Sequence, residues 1–193
     1  MSRITKIVVV CEGWRDSAFI RGFLKQAQVP SRSIDVTPNP RGSGHDWVTV
    51  KFAEEVANLE RLAEGRGVLG LLDEDGRGAS TRIQRVSEQL LLKGLRPIDC
   101  SNGRCLLLPT RNLETWLYWL KAQSSGAALV VSENTDYKRT PPANASRLDD
   151  RDCGPAGMFL HSLNHTHPPQ GCPPMLVRAL EYLREFLSAV RRR

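Results

Sequence analysis

The sequence predicts an α/β fold, a mostly parallel sheet flanked by helices, followed by a loop-rich helical C-terminal extension. Three observations predict it. Short, continuous apolar runs rich in β-branched residues, such as Ile7 to Cys11, read as strands buried on both faces. Segments with apolar residues at helical spacing alternate with these runs as far as Lys121. Beyond residue 122 the periodicity fades into Ser, Asn and Pro, and returns only in one last amphipathic stretch.

Taken in order, residues 4–11 form a strand that Glu12-Gly13 ends. Asp16 to Gln28 follows as a helix with Phe19, Ile20, Phe23 and Leu24 on one face. Ile34 to Thr37 is a short strand closed by Pro38 and Pro40, and Arg41-Gly42-Ser43-Gly44 is a loop. A helix from Asp46 to Ala63 carries Val50, Ala53, Val56, Ala57 and Leu62. Gly67 to Leu72 is a second all-apolar strand, running into Asp73-Glu74-Asp75-Gly76. Ser80 caps a helix from Thr81 to Lys93, which Gly94 stops. Cys105 to Leu108 is another buried strand. Pro109-Thr110 opens an apolar helix, Asn112 to Lys121, whose Trp116 and Trp119 read as core. Residues 123–174 read as loops and short helices, and Met175 to Val190 as the last helix. The organisation is an α/β core over residues 1–121 with residues 122–193 packed on it.

Composition narrows the function classes. The chain has 193 residues, 40% hydrophobic and 25% charged, which suits a globular domain with a real core. No apolar run approaches the roughly 18 residues of a membrane span, and the first is too short for a signal-peptide core. A cytoplasmic protein without a membrane partner is the expectation. The five cysteines are odd in number and contain no CxxC, which argues against a disulfide framework. His161 and His165 have i, i+4 spacing, but Pro168 and Pro169 interrupt the segment, and Cys153 and Cys172 are isolated, so zinc is not favoured. The formal net charge is +6, and half of that excess lies between residues 184 and 193. A polyanionic partner is permitted, not demanded.

Acidic residues recur at one kind of place. Glu12 stands at the carboxyl end of the first strand, Asp73 and Asp75 at the carboxyl end of a later one. Ligands of open α/β sheets bind outside the carboxyl ends of the strands. Carboxylates gathered there repel unless a cation sits among them, and oxygen ligands alone suit Mg²⁺ or Mn²⁺. Such an ion is common machinery for phosphodiester chemistry. Each acid by itself also reads as an ordinary polar residue at a strand end.

Order and context are more specific than the parts. An apolar strand followed by Glu12-Gly13-x-x-Asp16, then Gly44-His45 at a helix start, then a strand followed by Asp73-x-Asp75-x-x-Gly78 resembles the topoisomerase–primase (TOPRIM) family over residues 4–110. The resemblance implies that Glu12 is the general acid/base and that Asp73 and Asp75 hold Mg²⁺ or Mn²⁺, with Glu12 also a ligand of the ion. The chain lacks a strand-attacking tyrosine domain, a cysteine-rich zinc module and a GxxxxGK[ST] phosphate loop. It therefore resembles small stand-alone TOPRIM nucleases, akin to the overcoming-lysogenization-defect (OLD) nucleases, of bacterial defence and mobile-element loci. Pro109 to Leu117 and Cys172-Pro173 resemble segments of that group. By this resemblance Glu114 is a further metal ligand; it also reads as an acid favoured in a first helical turn. Arg15, His45, Arg77, Arg111 and Lys138 are candidates for contact with nucleic-acid phosphates, although arginines near acids also simply pair with them and His45 also reads as a helix cap.

The expected function is a Mg²⁺-dependent nuclease, acting on DNA before RNA, with a separate ATPase subunit and homo-oligomers both compatible. Two other classes stay open. Asp73-Glu74-Asp75-Gly76 resembles the DxDG of haloacid-dehalogenase-like phosphatases, although Arg77 stands where Thr or Ser is usual and Glu12-Gly13 goes unexplained. A non-catalytic nucleic-acid-binding or assembly module is the third.

Overall fold

The computed structural model describes residues 6–40, 46–61, 66–75 and 78–192. Four strands, β1 (Lys6–Cys11), β2 (Ile34–Pro38), β3 (Arg66–Leu71) and β4 (Arg104–Leu107), form one parallel sheet in the order β2-β1-β3-β4. Six α-helices surround it among the described residues: α1 (Trp14–Gln26), α2 (Asp46–Glu60), α3 (Ala79–Leu92), α4 (Leu113–Ser124), α5 (Cys153–Ser162) and α6 (Pro174–Arg192). The α/β class and the helical C-terminal part stand as expected.

Alternation along the strands explains how both faces are filled. Ile7, Val9 and Cys11 of β1, with Leu69, Leu71, Cys105 and Leu107, point to the face covered by α1, α4, α5 and α6. Val10, Val68 and Leu106 point to the other face, against Val48, Phe52 and Val56 of α2 and Val86 and Leu90 of α3. Strands buried on both sides must be apolar throughout, which is why they read as unbroken runs.

Several boundaries differ from the sequence reading, each for a local reason. α1 starts at Trp14, two residues early, because Asp16 accepts the Gly13 N–H at 2.8 Å and closes the first turn from inside. It stops at Gln26, and Gln28 takes a left-handed φ of 60°. α2 ends at Glu60 rather than Ala63, and α4 continues to Ser124 before Gly126 turns the chain at φ 72°. Trp116 and Trp119 are buried in the core, as their spacing implied.

The change of pattern at residue 122 does not separate two cores. Leu148, Cys153, Leu160, Leu176, Leu183 and Phe186 share one cluster with Phe19, Phe23 and Trp116. α5 lies so close to α1 that glycine is required at the crossing. A Cβ on Gly157 would overlap the Phe19 carbonyl, and one on Gly22 the Gly154 carbonyl. Helices normally lie 8–10 Å apart, and only missing side chains allow this nearer approach.

Gly157→Ala is expected to lower the unfolding free energy by about 1–3 kcal/mol, the usual cost of overpacking, even though Ala is the better helix former by about 1 kcal/mol. Gly154→Ala is the internal control. Its Cβ would meet nothing nearer than the Ala18 carbonyl at 3.9 Å, so it should be neutral or stabilising. Urea unfolding of the two variants checks this, and equal losses would contradict the crossing.

Candidate functional site

The strand order sets a switch point. After β1 the chain adds β2 on one side, then crosses to place β3 on the other, so the switch point falls between β1 and β3. Glu12 leaves β1 there, and Asp73 leaves β3 beside it. The segment after β3 runs along the segment after β4: Leu72 N–H donates to the Leu107 carbonyl at 3.1 Å, Glu74 to Pro109 at 3.0 Å and Asp75 to Arg111 at 3.1 Å. This pairing carries the aspartates to the start of α4, where Glu114 sits in the first turn.

Asp73 is buried, with one oxygen committed to the fold. Its Oδ1 accepts the Leu113 N–H at 3.0 Å and so satisfies the N-terminus of α4. Its Oδ2 faces the Lys138 ammonium at 2.6 Å, which also lies 3.5 Å from Asp75 Oδ1. Asp75 adopts a left-handed φ of 52°, uncommon for a residue other than glycine. Its Oδ2 receives Arg82 Nη2 at 3.4 Å. Arg82 is almost wholly buried on α3, and among the described residues its Nε and Nη1 find no hydrogen-bond partner. Arg15 closes the other side, donating from Nη1 to Glu114 at 3.2 Å and from Nε to Asp150 at 2.8 Å.

The acids act on one another. Burial pushes the Asp16 carboxyl up to about 8, with the charges of Asp73, Glu12 and Glu114 adding to it and the Gly13 N–H opposing it. Burial likewise pushes Asp73 up to about 7; Lys138 opposes this, and Glu12 and Glu114 reinforce it. Burial works against the Lys138 charge, yet Asp73, Asp75 and Glu114 more than offset it and hold the ammonium above the ordinary lysine range. Glu12, Asp16, Asp73 and Glu114 therefore share one field, and Asp75 joins it through Lys138.

This arrangement bears on a divalent cation. The donors are all hard carboxylate oxygens, the chemistry that Mg²⁺ and Mn²⁺ take. An ammonium already stands between Asp73 and Asp75, so the pair accepts a cation. Among the described residues no three acidic, His or Cys side chains are set to share one ion. The donors fit the ion in kind, and gathering three of them requires side-chain movement.

Of the residues singled out in the sequence, Glu12, Asp73, Asp75, Glu114, Arg15 and Lys138 come to this edge. Arg111 contributes its carbonyl to Asp75. His45 and Arg77 lie outside the described residues. Asp16, quoted in the motif but given no role, is buried with its carboxyl pushed up, and its place one helical turn after Glu12 was the available signal. Arg82 was missed as well, although Arg82, Val86 and Leu90 recur at the spacing of the buried face of α3. Asp150 reaches Arg15 across 135 positions, and no local pattern reports such a contact. The residues weighed for zinc go elsewhere. The His161 ring packs against Phe23 at 5.3 Å, His165 Nδ1 meets Arg184 at 2.7 Å, and α5 ends at Ser162, so the two histidines do not share a helix.

No family model matches the chain, and no curated protein matches it. Among solved structures, the C-terminal region of the Burkholderia pseudomallei OLD protein is similar, with 18% identity over 94% of this chain and 98% of that one and a TM-score of 0.44. No helix among the described residues is long and apolar enough to cross a membrane.

Asp16 sets a pH dependence. Folding carries its pKa from the ordinary value near 4 to about 8, so the folded chain holds a proton that the unfolded chain has released. Stability contributed in this way is lost as pH rises from about 4 to about 8. Asp16→Asn keeps an acceptor for the Gly13 N–H and removes the charge. It should match the parent near pH 4 and exceed it at pH 9 by more than about 1.4 kcal/mol, the worth of one pKa unit. Denaturant unfolding at the two pH values checks this, and a difference independent of pH would contradict it.

Proposed function

We propose that the chain is a divalent-cation-dependent phosphodiesterase acting on nucleic acid, with DNA as the favoured substrate. The observation that carries this reading is the juxtaposition of Glu12, Asp73 and Glu114 beyond the carboxyl ends of β1, β3 and β4, at the sheet's switch point. The resemblance of Glu12-Gly13 and Asp73-x-Asp75-x-x-Gly78 to the TOPRIM motifs supports it, as does the excess of positive charge. A separate ATPase subunit and a role in defence or mobile-element loci belong to the same proposal.

In this reading Asp73 and Asp75 hold Mg²⁺ or Mn²⁺, with Glu12 and Glu114 as flanking ligands. The ion supplies charge neutralisation at the reacting phosphate. Glu12, half-buried just beyond the end of β1, takes up or releases the proton of the attacking or leaving oxygen. Arg15 and Lys138 bring positive charge to the phosphates, and Arg77, Arg111 and His45 are proposed to extend that contact. Asp73 also fixes α4 through Leu113, so its position does not depend on the ion.

A second reading, the non-catalytic binding or assembly module, draws on a specific observation. Capping α4 and pairing with Lys138 give Asp73 a structural duty that needs no metal. The phosphatase reading leaves Glu12 beside Asp73 without a role.

Cleavage of plasmid and oligonucleotides in Mg²⁺ or Mn²⁺ separates these. Wild-type cleavage should stop in EDTA and return with added ion. Glu12→Gln should lower turnover by about 10²–10⁴-fold while nucleic-acid affinity stays nearly unchanged. Asp73→Asn retains the Leu113 cap and should stay folded, yet lose cleavage. Full activity in EDTA or in either variant contradicts the proposal, and binding without cleavage under every condition favours the module.

A further inference from the structure

We propose that Lys138 is an internal counter-cation, held between Asp73 and Asp75 until a divalent ion displaces its side chain. The inference rests on the metal-dependent reading above and adds a competition that the reading does not contain. Each aspartate has divided its oxygens. Asp73 gives Oδ1 to the Leu113 N–H, and Asp75 directs Oδ2 toward Arg82. The remaining two, Asp73 Oδ2 and Asp75 Oδ1, both face the Lys138 ammonium, at 2.6 Å and 3.5 Å. An ion bridging the aspartates competes with the ammonium for these two oxygens. An ammonium and a divalent ion cannot both contact them, because two cations at that separation repel strongly in a partly buried site. Binding of the ion is therefore an exchange.

The carrier of Lys138 is built to stay while its side chain leaves. Asp136 Oδ1 accepts both the Lys138 N–H at 3.0 Å and Asn112 Nδ2 at 2.9 Å. Tyr137 is buried, its ring 5.9 Å from that of Tyr118. The Lys138 side chain itself is 39% exposed and can swing into solvent, where its ammonium regains water. Until then it neutralises a carboxylate pair that would otherwise repel, so the folded chain keeps the pair together without metal. The cost falls on metal affinity, which is reduced by the fraction of molecules in which the pair is free.

Calorimetric titration with Mg²⁺ at pH 8.5, where protons compete least for the carboxylates, compares the wild type with Lys138→Met and Lys138→Arg. If the latched form is about nine-tenths of the molecules, Lys138→Met binds Mg²⁺ about 10-fold more tightly, while Lys138→Arg, which keeps the charge, binds no better than the wild type. The second readout is the ¹³Cε resonance of Lys138 in lysine-labelled protein, assigned by its loss in Lys138→Arg. Mg²⁺ should move it to the position of the exposed Lys25 and Lys93, whose own resonances stay still and report an intact fold. Mg²⁺ binding with equal affinity in wild type and Lys138→Met, or with a motionless Lys138 resonance, overturns the exchange and leaves the metal reading standing. Absence of Mg²⁺ binding in all three forms overturns both.

Discussion

The structure depends on holding Asp16 and Asp73, both buried, within each other's field. Water would screen such charges at the surface, but here burial removes the screening and pushes both carboxyls up, Asp16 to about 8 and Asp73 to about 7. Burying an acid is costly unless it is hydrogen-bonded or paired, and here Asp16 accepts the Gly13 N–H while Asp73 accepts the Leu113 N–H and meets Lys138. Lys138 offsets part of the cost at Asp73 and is shared with Asp75, while Arg15 pairs with the neighbouring Glu114 and Asp150. In the proposed reading, a divalent cation completes the charge balance at this edge.

The fold imposes this arrangement before any ligand is considered. A parallel sheet gathers the carboxyl ends of its strands on one side, and the order β2-β1-β3-β4 makes β1 and β3 neighbours. Hydrogen bonds between the chain after β3 and the chain after β4 then carry Asp73 to the N-terminus of α4. There it accepts the Leu113 N–H and meets the positive end of the helix dipole. The same carboxylate thus joins the core helix to the site. Removing it entirely confuses folding with chemistry, whereas the Asn replacement separates them.

Much of this was legible in the residues. The strands of the sheet are short and double-faced, so an unbroken apolar run was a sufficient signal for β1, β3 and β4. The acids just after β1 and β3 were visible because strand ends are the one place where sequence position and site position coincide. Other parts were invisible for physical reasons. The α1–α5 crossing depends on Gly22 and Gly157, more than a hundred positions apart, and glycine alone does not announce a close approach. The pairing of Lys138 with Asp73 and Asp75 comes from a loop segment without periodicity, where composition reports nothing about spatial neighbours. Arg82 lay on a readable helical face, but a charged residue at a core position is easily assigned to solvent.

The central claim is that the carboxylates beyond β1, β3 and β4 form a cation site. Anomalous diffraction from a crystal soaked in Mn²⁺ tests it most directly. The account predicts a Mn²⁺ peak in contact with Asp73 and Asp75, with Glu12 or Glu114 drawn toward it and the Lys138 ammonium displaced. A crystal saturated with Mn²⁺ that shows no peak at this edge, with Lys138 still bridging the two aspartates, would contradict it.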